Sequence, residues 1–162
     1  MCRQIDWRFR SGALLAVVVL GSCTAQRPSQ SDSVIHVSDP SSQWRLRGFQ
    51  VIESPRWRWS KQTFAVECPV PPTEKRNALK LVLRFSIPPG LEPVMLSASM
   101  NGTELRPESY RQAGSQVYLR RIPLSLLAGE RAEAIFSLDH TFKPSTSDLR
   151  ELGLMVESVC FE

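Results

Sequence analysis

Apolar residues fall along this sequence in two rhythms. Near the N-terminus they run unbroken from Leu14 to Leu20. From Trp44 onward they alternate with polar residues in short stretches punctuated by Pro, Gly and Asn. Alternation sends successive side chains to opposite faces of a strand, so each stretch predicts a half-buried β-strand. In Gln62–Cys68 the inward set is Phe64, Val66 and Cys68. In Leu79–Ser86 it is Leu79, Leu81, Leu83 and Phe85, with Lys80 and Arg84 opposite. Val94–Met100 groups Val94, Leu96, Ala98 and Met100, and Asn101-Gly102 then demands a hairpin turn into Thr103–Arg106. Gln116–Ile122 alternates around Val117 and Leu119, and Ala132–His140 around Ala134, Phe136 and Leu138. Leu152–Phe161 changes phase near Ser158, the mark of a bulge or of an end buried on both faces. Pro123–Leu127 has helical spacing but is too short for more than a turn or two before Gly129. The pattern predicts an all-β fold: an antiparallel β-sandwich of seven to nine strands, with at most one short helical turn near 123–128.

The unbroken run is a different object. Taken on to Cys23 it spans roughly ten residues, against the ~20 that a permanent membrane helix needs. Arg3, Arg8 and Arg10 precede it and small residues follow, which is the layout of a secretion signal. Leu20-Gly21-Ser22-Cys23 resembles a bacterial lipobox. The resemblance implies cleavage after residue 22 and lipid on Cys23, which then anchors the chain in a membrane. Thr24 follows, not the Asp that such lipoproteins use for retention in the inner membrane, so the outer membrane is the implied home. Residues 23–43 are rich in Ser, Gln, Pro and Asp and read as a flexible tether, with the domain over 44–162. Within the tether, Val34–Val37 forms either a short edge strand or more tether.

Charge changes the picture little. The whole chain carries +4, but residues 1–22 hold three Arg and one Asp. The 140 residues that remain carry 17 basic and 15 acidic side chains, with no run of Lys or Arg longer than two. That balance argues against a nucleic-acid surface. Of four cysteines, Cys2 leaves with the leader and Cys23 takes lipid. Cys68 and Cys160 remain in a compartment that permits disulfides, and a bridge is expected over two buried reduced thiols.

Several local sequences share their order with a known domain type. They are Arg47-Gly48-Phe49, Glu53 followed by Arg58-Trp59-Ser60, Asn101-Gly102 before Leu105, and Tyr118 with Ile122-Pro123. The last is Phe136-Ser137-Leu138-Asp139-His140-Thr141-Phe142-Lys143-Pro144-Ser145, running on to Asp148-Leu149-Arg150-Glu151-Leu152-Gly153-Leu154. From about Trp44 to Phe161 the chain resembles small jelly-roll, galactose-binding-like sandwich domains that accompany surface-polysaccharide glycosyltransferases. With no catalytic partner on this chain, the resemblance implies a jelly-roll fold and a carbohydrate setting. It also implies that an early strand lies beside the last, which brings Cys68 towards Cys160.

Enzyme signatures are scarce. No nucleophile elbow, phosphate loop or zinc-binding helix motif occurs. The two histidines, His36 and His140, are too few for a zinc site, and His140 reads as a structural hydrogen-bonding partner. No cofactor is implied. Arg56-Trp57-Arg58-Trp59 is the loudest cluster, with the indoles on one face of an extended segment and the guanidinium groups on the other. One reading offers Trp57 to a sugar ring, with Glu53 and Arg58 on its hydroxyls. The other places Trp59 in the core with Arg stacked on it. Asp148 and Arg150 form either the rim of that site or a loop staple in which Arg150 grips Glu53 or Asp148. The candidate binding residues are Glu53, Trp57, Arg58, Asp148 and Arg150. The function expected is a non-catalytic, lipid-anchored envelope module that binds glycan. The alternatives are an assembly lipoprotein whose partner is an envelope protein and, with least support, a hydrolase of surface polymer acting through paired carboxylates such as Glu53 and Asp148.

Overall fold

The computed structural model describes residues 34–72, 77–127 and 129–162. Residues 1–33, and with them the leader and Cys23, lie outside the described part. Nine strands follow one another: β1 (Val34–His36), β2 (Leu46–Phe49), β3 (Arg58–Pro69), β4 (Ala78–Ile87), β5 (Val94–Met100), β6 (Thr103–Tyr110), β7 (Gly114–Pro123), β8 (Arg131–Leu138) and β9 (Met155–Phe161). All pairings are antiparallel, and the path β6-β5-β8-β3-β9-β4-β7 is nearly closed. The expected all-β sandwich is therefore present. Sheet A is β1-β9-β4-β7 and sheet B is β2-β3-β8-β5-β6. β3 belongs to both: Arg58 and Trp59 pair with β9, while Thr63–Pro69 pair with β8.

The core lies between the sheets, filled by the alternating sets of β3, β4, β5 and β8 that the sequence pattern predicts. Phe64 stacks on Phe136 at 5.1 Å, and Tyr118 meets Phe136 edge-on at 6.2 Å. β7 departs from expectation: Tyr118 and Ile122 face the core, while Val117 and Leu119 face out. Asn101 and Gly102 both take positive φ, as a tight hairpin turn requires. The β9 phase change is a bulge: Arg84 pairs with Ser158 and Phe85 with Val156, leaving Glu157 unmatched. β2 bends at Gly48, whose φ of +73° and 2.2 Å approach of a virtual Cβ to the Thr63 carbonyl exclude any side chain.

The margins are closed in two ways. β6 and β7 face each other, and side chains seal the seam. Tyr118 Oη and Arg120 Nε donate to the Arg106 carbonyl at 3.1 and 2.8 Å, and Tyr110 Oη donates to the Val117 carbonyl at 3.3 Å. These bonds occupy edge carbonyls that would otherwise invite another strand. At the opposite margin the edges are the short β1 and β2. Val34–Val37 is thus the edge strand of the two possibilities, with Ile35 and Val37 buried. A 3-10 turn over Pro40–Arg45, capped by Asp39, follows it, and a second covers Leu124–Leu126 near the expected position. The described strands thus include Val34–His36, which the sequence pattern left within the expected tether.

Cys68 and Cys160 are both free, which corrects the expected disulfide. An early strand does lie beside the last, but β3 pairs with β9 only at Arg58 and Trp59, the far end from Cys68. By Cys68 the strand has crossed into sheet B and its thiol sits in the core. On β9 the bulge turns Val159 and Phe161 inward, so Cys160 falls on the outer face beside Val34 and Val82. Burial pushes the Cys68 thiol up to about 12 and raises that of Cys160 as well.

Candidate functional site

Connections between strands alternate between the two ends of the sandwich. The β2–β3 segment and the long β8–β9 segment emerge at the same end. Their meeting brings Glu53 to Arg150, across 97 positions of sequence. Arg150 grips Asp148 bidentately, Nε to Oδ1 at 2.9 Å and Nη2 to Oδ2 at 2.7 Å. Its Nη1 donates to Glu53 Oε1. Asp148 is set by its own loop: its amide donates to Ser145 Oγ at 3.2 Å, and its carbonyl accepts from the Ser145 amide at 2.7 Å. The Arg150 guanidinium holds the Asp148 carboxyl down to about 2, and the two carboxylates raise the guanidinium in turn. All three side chains remain about one-third exposed.

A second stitch runs beside the first. Gln50 Nε2 donates to the Glu151 carbonyl at 2.8 Å. Arg58 braces Gln50 from below, donating Nε to the Gln50 carbonyl at 2.8 Å with Nη2 on the same oxygen. Its Nη1 reaches Gln43 Oε1 at 2.6 Å, and its guanidinium lies over the Phe49 ring at 5.8 Å. Arg58 is 3% exposed, and the loss of water lowers its pKa. It is separate from the Glu53–Arg150–Asp148 group and belongs to the fold. Trp57 and Trp59 pack edge-to-face at 5.5 Å, both half-buried. The expectation that Trp59 fills the core does not hold: it stands at the start of β3 where the sheet ends, and the core is filled by phenylalanines instead.

Between the two stitches the loops leave apolar side chains outside. Val51 is 69% exposed and Leu149 82%, and Ile52 is exposed as well. Sequence reasoning passed over these three, because nothing local distinguishes an exposed Val-Ile pair from a strand fragment. The larger grooves lie elsewhere. One of about 910 Å³ crosses the outer face of sheet A past His36, Arg56, Arg84 and Cys160. Another of about 590 Å³ opens at the opposite end, between Pro69–Pro72 and Leu124–Leu127.

Asp148 stays ionised at any physiological pH and cannot donate a proton as the acid of a glycosidase pair does. His140 has both ring nitrogens engaged, with Asp139 Oδ1 and the Leu91 carbonyl, each at 2.9 Å. Among the described residues no cluster of His, Cys, Asp or Glu is placed to hold a metal, and no helix is long and apolar enough to cross a membrane. Fold and loops together define a β-sandwich module with a stapled loop platform at one end. No family model matches this chain, and no curated protein is significantly similar to it.

Proposed function

We propose that the protein is a non-catalytic module, held in the bacterial cell envelope by lipid on Cys23, that binds another envelope protein through the loop platform around Glu53 and Arg150. One observation carries the choice of protein over glycan. The polar groups that a sugar would need are engaged with one another within the fold. Arg150 turns three N–H groups onto Glu53 and Asp148, and Arg58 is buried on Gln50 and Gln43. Outward, among exposed polar residues such as Glu53 and Arg56, these loops carry the apolar side chains Val51, Ile52 and Leu149 and the half-exposed Trp57. Apolar anchors inside a polar rim, on a rigid base, are the composition of a protein-binding hot spot. Rigidity lowers the entropy cost of binding, since the loops are already locked. The jelly-roll resemblance keeps the setting one of surface polysaccharide, with the partner a protein of that machinery.

The test is photo-crosslinking in cells. A photoreactive residue at Ile52 or at Leu149 should give the same discrete protein adduct, and one at Glu104 on β6 should not. Leu149→Glu should abolish the adduct formed from Ile52. Absence of an adduct from both loops, or Trp57-dependent binding of glycans on an array, would overturn the assignment.

A further inference from the structure

The outer face of sheet B carries a pattern that matches its own image. Register places five outward side chains in one row across five strands: Arg47 on β2, Ala65 on β3, Ile135 on β8, Ser99 on β5 and Glu104 on β6. The row is basic at one end, uncharged in the middle and acidic at the other. The next row, Thr63, Ser137 and Ser97, has only short hydroxyl side chains. Strands lie about 4.8 Å apart, so Arg47 and Glu104 start roughly 19 Å from each other and cannot pair within one molecule. Of the remaining charges on this face, Glu133 is held by Arg47, Glu67 by Arg131 at 3.0 Å, and Asp139 by His140 at 2.9 Å. Lys61 is exposed near the platform border. Glu104 is exposed and makes no ion pair among the described residues, not even with Arg106 on its own strand. Relief follows the same division. Arg47 reaches Glu133 across β3, so its stem forms a ridge beside Ala65, which faces outward yet is 6% exposed. On the other half a shallow groove of about 240 Å³ runs between Ile135, Ser99, Pro107 and Glu104.

We infer that a second copy of this chain packs on this face, about a two-fold axis that runs along β8 at Ile135. The axis exchanges the two halves of the row. Ile135 meets Ile135 of the other copy, Ala65 faces Ser99, and each Arg47 ridge enters the groove of the other copy and meets its Glu104. Such a contact is isologous and closed, since one patch is used twice. Short side chains in the middle let the two sheets pack about 10 Å apart and nearly aligned. Glu133 also lies near the axis, but each copy brings Arg47 with it, so two guanidinium groups stand among two carboxylates there. The patch measures about 19 Å by about 17 Å, roughly 300 Å² in projection. A stable complex buries about 800 Å² per partner, so this dimer is a weak one. Because the axis follows the strands, both copies keep their loop ends on the same side. The dimer therefore sets two Glu53–Arg150 platforms side by side for bivalent capture, a consequence that rests on the proposed function.

The experiment is sedimentation equilibrium of the chain from residue 23 onward with Cys23→Ser, which carries the whole described fold, over concentrations reaching the millimolar range. A reversible monomer–dimer equilibrium is expected. Glu104→Arg should weaken it at least tenfold while the thermal melt stays close to that of the parent. Arg47→Glu should weaken it as well, and mixing the two variants should restore a mixed dimer, because both contacts then join opposite charges again. Arg47→Glu also gives up the pair with Glu133, so Ile135→Lys supplies an independent check: it sets two like charges on the axis and should abolish the dimer. Lys80→Glu on the outer face of sheet A should change nothing. Leu149→Glu should also leave the dimer intact, which separates a failure of this inference from a failure of the platform reading. A monomer at every concentration, or a dimer that Glu104→Arg or Ile135→Lys leaves intact, overturns the inference. So does a mixture of two well-folded charge variants that stays monomeric.

Discussion

Arg58→Ala separates a structural arginine from a binding one. The side chain makes two independent charged contacts, the forked pair on the Gln50 carbonyl and the single bond to Gln43 Oε1. Hydrogen bonds to a charged group contribute about 1.5–3 kcal/mol each, so the gross loss is about 3–6 kcal/mol. Deleting the guanidinium also removes its own desolvation penalty, which returns part of that sum. Loss of the ring contact with Phe49 adds about 0.5–1 kcal/mol in the other direction. The net expectation is a destabilisation of about 2–4 kcal/mol, or a fall in Tm of roughly 8–16 °C at about 4 °C per kcal/mol. Arg58→Lys should recover little, because an ammonium cannot fork onto one carbonyl while reaching a second acceptor. The effect should extend to the platform, since Gln50 links Arg58 to Glu151. Thermal melts by circular dichroism, with hydrogen exchange over residues 50–57, measure both. A Tm within 3 °C of the parent, with exchange in the loop unchanged, would refute the reasoning and return Arg58 to the candidates for ligand contact.

Alkylation of the denatured 34–162 chain without reductant should modify two thiols, Cys68 and Cys160, and mass spectrometry counts them. In the native protein at pH 8 Cys68 should resist alkylation, its thiol being buried and pushed up to about 12. Asp148 has a folded pKa depressed to about 2 from 3.8, so its contribution is present above pH 4 and is lost as the pH falls through 3.8 towards 2. Exchange of the 145–151 amides should therefore accelerate over that window in the parent and not in Asp148→Asn. Tyr118→Phe keeps the buried ring and removes the bond to the Arg106 carbonyl, so it should cost about 1 kcal/mol and speed exchange along the β6–β7 seam. Unchanged urea midpoints would show that the seam is closed by packing alone.

Much of the sandwich was legible because alternation is a local property. Leu79 to Phe85 and Ala132 to Leu138 have one apolar face, so only one burial is possible. The Asn101-Gly102 hairpin and the β9 bulge were legible for the same reason. β7 was not, because it carries apolar residues on both faces, and Val117 and Leu119 compete with Tyr118 and Ile122. The structure settles the tie by the space beside Phe136 and by an acceptor on β6 for the tyrosine hydroxyl, neither of which is local. Val34–Val37 is too short to declare itself, and becomes a strand only because β9 offers it an edge. The thiols show the same limit: which face Cys160 takes depends on a single unmatched residue, Glu157, and where Cys68 lies depends on β3 changing sheets. The Glu53–Arg150 contact joins two loops that only the folded sandwich brings to one end. Residue types and periodicity determined the strands. Their crossing between sheets determined which charged groups pair with one another, and so which side chains are left exposed.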